Sequence, residues 1–196
     1  MHANEKKLDV TWQAFKKGNR EAFAAIYREH IKDLLNYGYK VTSDRRLIED
    51  SIQDLFFELW KNRLGLTETT SIRFYLFKAL RNKIVRNAKT DSRNFIQPVP
   101  SEPETLSDVS HESYLIGLEV QSYQMAHLKE LIANLPKRQQ EAINLRYYHS
   151  FSNEEIAKIM GVNYQSACKF IYSALKNLKL NLQVSITSYL LLIIFL

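Results

Sequence analysis

The residues best placed for chemistry lie near the end of the chain. Ser152-Asn153-Glu154-Glu155 has the S-x-x-E form of a capping box, in which a hydroxyl and a carboxylate satisfy free amides at a helix start. A short helix carrying Ile156, Ala157 and Ile159 should follow and stop at Gly161, with Asn163 the next N-cap. The second helix then sets Ala167, Ile171, Ala174, Leu175 and Leu178 on one face and Gln165, Lys169, Tyr172, Ser173 and Lys176 on the other. Helix, tight turn and helix is a helix-turn-helix pattern. Gln and Lys early in its second helix can reach base edges in a major groove, while Lys176, further along, suits a phosphate. An ordinary solvated face on a helical hairpin would carry the same residues.

A second cluster spans Arg73 to Arg93, where seven basic residues face one acid, Asp91, and Phe74, Tyr75 and Phe77 stand at the start. Cations interleaved with aromatics suit a nucleic-acid strand whose bases are exposed, since cations track phosphate and π faces take unstacked bases. Tyr75 and Phe77 also share an apolar stripe, so a core role is open to both. No catalytic residue is expected: the chain has no glycine-rich phosphate loop, HExxH or nucleophile elbow. Its histidines (His2, His30, His111, His127, His149) are scattered, and a lone Cys168 excludes an internal disulfide and any cysteine zinc cluster. No metal and no cofactor is expected.

Helices must position these groups. Five glycines and four prolines in 196 residues are too few for the turns of a sandwich or barrel, and 45% hydrophobic content is enough for compact cores. Phe15, Ala22, Phe23, Ile26 and Tyr27, continued by Ile31, Leu34 and Leu35, recur at helical steps. Ile48, Ile52, Leu55, Phe56 and Leu59 form a second stripe, and Ile72, Tyr75, Leu76, Ala79, Leu80 and Ile84 a third. Leu128, Leu131, Ile132 and Leu135 lead to Pro136, which suits the opening turn of a helix with Ala142, Ile143 and Leu145. Between the two groups, residues 91–112 are rich in Ser, Glu and Asp and hold Pro98, Pro100 and Pro103, the composition of a linker. The expected fold is therefore all-α: two small helical domains, a three- or four-helix bundle and a helix-turn-helix, joined by a flexible linker.

The net charge of +6 divides along the same lines, into +7 for residues 1–90, −4 for 91–112 and +3 for 113–196. Two basic modules on an acidic tether fit a polyanionic partner; an anionic membrane surface would fit the total charge alone. Met1 to Val10 holds Glu5, Lys6, Lys7 and Asp9 and no apolar run, so no secretory leader and a cytoplasmic location are expected. After Lys179 no charge appears, yet the apolar run Tyr189 to Leu196 is shorter than the roughly 20 residues a membrane span needs.

The run Leu135 to Lys179, with Pro136, LRYY at 145–148, EIA at 155–157 and Gly161, resembles region four of the extracytoplasmic-function sigma factors, small two-domain initiation factors of bacterial RNA polymerase. Glu49 to Trp60 resembles their region 2.2, Tyr75 to Val85 regions 2.3 and 2.4, and residues 18–30 region 2.1. The resemblance implies region 2 over 8–90, a linker over 91–112, region 4 over 113–180 and an apolar tail over 181–196. It implies core polymerase and promoter DNA as partners, with an anti-sigma factor, often membrane-bound. By resemblance, Asp50, Gln53, Asp54, Phe57 and Glu58 contact polymerase. Asn82 lies at the pocket for a flipped −10 base, with Arg81, Lys83, Arg86 and Tyr75 beside the strand. Arg146, Gln165, Ser166, Lys169, Tyr172 and Ser173 read the −35 element, with Lys176 nearby. Ser166-Ala167-Cys168-Lys169-Phe170 departs from the family's Thr-Val pair and arginine-rich pattern, so the preferred −35 sequence does not transfer. Two other readings stand beside this one: a stand-alone helix-turn-helix regulator, and a helical adaptor on a membrane surface.

Overall fold

In the computed structural model, residues 10–66, 71–91, 125 and 127–194 are described, with 90–91 and 183–194 as backbone only. The chain is helical, with no strand among the described residues. A short helix α1 (10–16) ends where Gly18 takes φ +90°, and the Asn19 side chain accepts from Ala22 N at 2.9 Å to start α2 (Arg20–Val41). Asp44 caps α3 (Arg45–Lys61) in the same way, accepting from Leu47 N at 3.0 Å. After a 3₁₀ turn at Arg63–Gly65 comes α4 (Ile72–Asp91).

These helices bury the stripes anticipated from spacing, except that Tyr27, expected on the first stripe, is 41% exposed. In α3 the buried residues are Leu47, Ile48, Ser51, Ile52, Leu55, Phe56 and Leu59, one face of the helix. α2 and α3 cross closely at Gly38, where a Cβ would collide with the Ile48 side chain. An aromatic group of Trp12, Phe15, Phe23 and Trp60 closes the end of the bundle, with neighbouring centroids 5.1 to 6.3 Å apart.

The second group comprises α5 (127–133), α6 (Lys137–Ile143), a π-helical turn at Asn144–Tyr148, α7 (Asn153–Met160) and α8 (Tyr164–Ile194). Gln140 Nε2 donates to the carbonyls of Ala133 and Leu135 at 2.8 and 2.7 Å, fixing the α5–α6 corner. The capping box forms at α7: Glu155 N donates to Ser152 Oγ at 3.2 Å, and Ser152 N donates to Glu155 Oε2 at 2.8 Å. Gly161 ends α7 in the left-handed conformation, φ 63° and ψ 41°, and Asn163 caps α8 by accepting from Ser166 N at 2.7 Å. Leu175, expected on the buried face of α8, is 41% exposed.

The two helical groups share a core. One cluster of buried side chains runs from Trp12 and Phe15 through Leu76 and Phe77 to Phe151, Ile156 and Ile171. α7 packs against α4 and α6 against α2. A smaller cluster of Leu135, Ile143, Ala174 and Leu178 holds α6 to α8. The proline-bearing segment 92–112 and the side chains of Leu190, Ile193 and Ile194 lie outside the described residues. Among the described residues, no helix is long and apolar enough to cross a membrane.

Candidate nucleic-acid and polymerase interfaces

Three surfaces collect the candidate residues. On α3, Asp50, Gln53, Asp54, Phe57 and Glu58 are all exposed on the face opposite the buried stripe. Phe57 is 68% exposed, a large ring held among carboxylates. Such a ring has no packing role in the chain itself and is free to seat in a partner.

The second surface is a cleft of about 180 Å³ between α3 and α4. Leu55, Leu59 and Ala79 give it apolar walls; Tyr75, Asn82, Lys83, Arg86 and Glu58 also line it. Asn82 is exposed and presents an amide that both donates and accepts. Lys83 is buried, its Nζ 2.7 Å from Glu58 Oε1, and Arg86 Nη2 lies 3.8 Å from the same oxygen. The hydrogen bond from Lys83 holds the Glu58 carboxyl below its ordinary range. Burial pushes the Tyr75 hydroxyl up, with the Glu58 charge adding to it. An apolar slot edged by an amide, a carboxylate and cations can take one unstacked base and hold its backbone.

The third surface is the outer face of α8. Gln165, Lys169, Tyr172 and Lys176 are exposed at steps of four, three and four, while Ala167, Ile171, Ala174 and Leu178 are buried beneath them. Ser166 and Ser173 are half-buried at the edges of the stripe. Arg146 is exposed but oriented by a 3.1 Å bond from Nη1 to the carbonyl of Phe151.

Two residues of the basic block are placed otherwise than its composition suggests. Arg81 and Lys83, read as open phosphate contacts, are 6% and 5% exposed. Arg81 Nε donates to Glu141 Oε1 at 2.6 Å, across the boundary between the helical groups. Tyr37 OH donates to the same oxygen at 2.9 Å, and Arg138 Nη1 lies 3.5 Å from Oε2. Burial, then the Glu141 charge, raises the Tyr37 hydroxyl well above its ordinary value. Nearby, Arg73 Nη2 meets His149 Nδ1 at 2.7 Å and Asp33 Oδ2 at 3.8 Å. Glu141, Tyr37, Arg73, His149 and Phe151 are thus junction residues that sequence reasoning did not single out. The signal was faint: a tyrosine on the buried stripe of α2 needs a partner for its hydroxyl, but nothing local says which. No cluster of potential metal ligands occurs among the described residues.

Two family models match the chain: sigma-70 region 2 over residues 26–94 and sigma-70 region 4 over residues 126–178. The RNA polymerase sigma factor YlaC of Bacillus subtilis is 23% identical over 168 residues, covering 85% of this chain and 95% of that protein. The ECF RNA polymerase sigma factor SigL of Mycobacterium tuberculosis is 24% identical over 160 residues, covering 81% and 88%. Among solved structures, the sigma factor RpoE in complex with the anti-sigma factor NepR from Bartonella quintana superposes with a TM-score of 0.58. It is 21% identical, with 83% of this chain and 97% of that one covered. CnrH in complex with the cytosolic domain of CnrY gives 0.57 at 18% identity, covering 90% and 98%. The α3–α4 cleft falls within the first matched region and the α8 stripe within the second, in the family's order, and the chain belongs to the extracytoplasmic-function sigma factors of the sigma-70 family.

Proposed function

We propose that the three surfaces divide the work of an alternative sigma factor that directs core RNA polymerase to its promoters. The α3 face, with Phe57 among Asp50, Gln53, Asp54 and Glu58, docks on polymerase. The α3–α4 cleft receives an unstacked base of the −10 element, with Asn82 on its edge and Tyr75 in its wall. Of the three cations expected beside the adjoining strand, Arg86 is exposed to serve its backbone, while Arg81 and Lys83 would first have to leave their pairs with Glu141 and Glu58. Gln165, Lys169 and Tyr172, flanked by Arg146, Ser166, Ser173 and Lys176, meet the −35 duplex. The assignment places region 2 in 8–90, a linker in 91–112, region 4 in 113–180 and a tail in 181–196. It gives the chain no bond chemistry, metal or cofactor, and places it with polymerase in the cytoplasm.

One observation carries the reading: Asn82 projects from α4 at the edge of a cleft of about 180 Å³ whose walls are apolar and whose remaining groups are polar or cationic. A stand-alone regulator would have no use for that cleft or for the exposed Phe57. RpoE was solved in complex with the anti-sigma factor NepR, which supports an anti-sigma partner here as well. The test is Asn82→Ala in reconstituted holoenzyme, on duplex promoters and on promoters already melted at −10. Open-complex formation on duplex DNA should fall while −35 binding and polymerase docking persist. Equal activity of the variant and the native chain on duplex promoters would refute the role of the cleft.

A further inference from the structure

The polar groups lining the α3–α4 cleft are Glu58 and Asn62 of α3 and Tyr75, Asn82, Lys83 and Arg86 of α4. The two amides and the hydroxyl each donate and accept, so they fit any base edge and select none. The two cations only donate, to a carbonyl or a phosphate alike. An ionised carboxylate only accepts, and among these six side chains Glu58 alone has that restriction. It follows Phe57 by one position, about 100° round the helix, and so stands where the docking face of α3 meets the cleft. Lys83 fixes it there. The Lys83 side chain is 6% exposed, with Nζ 2.7 Å from Glu58 Oε1, whereas the Glu58 side chain is 49% exposed. Lys83 Nζ meets no second hydrogen-bond acceptor among the described residues, so the buried ammonium is answered by this carboxylate. Arg86 Nη2 adds a second cation 3.8 Å from the same oxygen. Both pairs fall on Oε1, leaving Oε2 to accept from a ligand.

We propose that Glu58 selects the captured base: its carboxylate, positioned by Lys83, accepts from the exocyclic amine of cytosine, adenine or guanine and rejects thymine. This rests on the reading of the cleft as the site of an unstacked base, and it gives Glu58 a second role beside its place on the docking face. The three amine-bearing bases each offer an N–H at the end of the pairing edge, where a carboxylate approaches without obstruction. Thymine offers a single N–H between two carbonyls, so a carboxylate that reaches it also meets a carbonyl oxygen and is repelled. Selection by such a group works as much through the mismatched partner it excludes as through the one it binds. Lys83 acts through Glu58, as a positioning residue: a carboxylate held at one oxygen by a buried cation presents the other in a fixed place and stays ionised.

The full chain, assembled with core polymerase, would be titrated with fluorescein-labelled strands of about 15 abasic sugars carrying one central base. Cytosine and uracil differ only along the pairing edge, so the ratio of their affinities isolates the contact. The cytosine strand should bind on the order of tenfold tighter than the uracil strand. Glu58→Gln replaces an obligate acceptor with an amide that pairs either way, and the ratio should fall to about one. Because the readout is a ratio within one variant, any loss of polymerase docking cancels. Lys83→Met should lower the ratio in the native background and leave it unchanged in Glu58→Gln, a coupling that a merely structural role for Lys83 would not produce. The same double variant removes the unpaired buried ammonium should Glu58→Gln alone fold poorly. A native ratio near one, or the full ratio retained in Glu58→Gln and in the double variant, would overturn selection by Glu58 while leaving the role of the cleft intact. A native holoenzyme that binds base-bearing strands no tighter than a wholly abasic strand would refute the reading of the cleft itself, and the proposal with it.

Discussion

Acidification should loosen the junction through His149. The ring is 1% exposed, and its Nδ1 faces the Arg73 guanidinium at 2.7 Å, which places the ring proton on Nε2. Nε2 is buried and meets no hydrogen-bond partner among the described residues. Burial, and then the Arg73 charge, lower the pKa from 6.5 to about 4, against a small opposing pull from Asp33. His30 on α2 is lowered in the same sense, first by burial and also by Arg73, while Glu29 and Asp33 oppose the shift. A histidine lowered in the folded chain contributes stability fully above its unfolded-state value and loses it as pH falls toward the folded-state value. Taking 6.5 unfolded and about 4 folded, passage from pH 7 to pH 5 lowers folding stability by about 2 kcal/mol through His149 alone. Urea denaturation at both pH values measures the change, with His149→Phe as the control. Phenylalanine keeps an aromatic ring against Phe77 and Phe151 but cannot titrate, and the variant should lack about 2 kcal/mol of the native pH dependence. Identical pH dependence in the two chains would refute this placement of His149.

Three further perturbations probe other parts of the molecule. Gly38→Ala gains helix propensity but drives a Cβ into Ile48, and should lower stability by about 1–3 kcal/mol in thermal or urea unfolding; a gain in stability would show that α2 and α3 are not so close. Phe57→Ala should weaken core-polymerase binding by about 2 kcal/mol in a competition assay while leaving the circular dichroism spectrum unchanged, since the ring is exposed. Lys169→Ala should reduce discrimination of −35 sequences by about 1–3 kcal/mol in duplex-binding titrations without affecting polymerase docking.

Features set by neighbours in sequence were legible before the structure. The Ser152/Glu155 capping box, the left-handed Gly161 and the Asn163 cap each depend on four or fewer consecutive residues, and all three form. The α3 stripe was legible because a half-buried helix writes its burial into a 3.6-residue period, leaving Phe57 as the visible exception. Helix α6 was harder. Gln140, Glu141, Ala142 and Ile143 are all buried, so the second half of the helix has no polar face to mark its orientation and its glutamate reads as solvated. The basic block exposed the opposite weakness of sequence reading. Its summed charge was plain, but Arg81 is neutralised by a residue 60 positions away and Lys83 by Glu58 on the preceding helix. Which cations stay free is settled by tertiary packing, and composition carries no record of it.

Transcription by the reconstituted holoenzyme tests the central assignment most directly. The full chain would be mixed with core RNA polymerase, resolved by gel filtration and assayed for initiation across genomic promoter fragments. The expected result is a stable complex of one chain per core that starts transcripts at a defined promoter set, with starts reduced when Phe57 is replaced by Ala and lost when the core is omitted. Elution of the chain apart from core, with no promoter-specific starts, would contradict it.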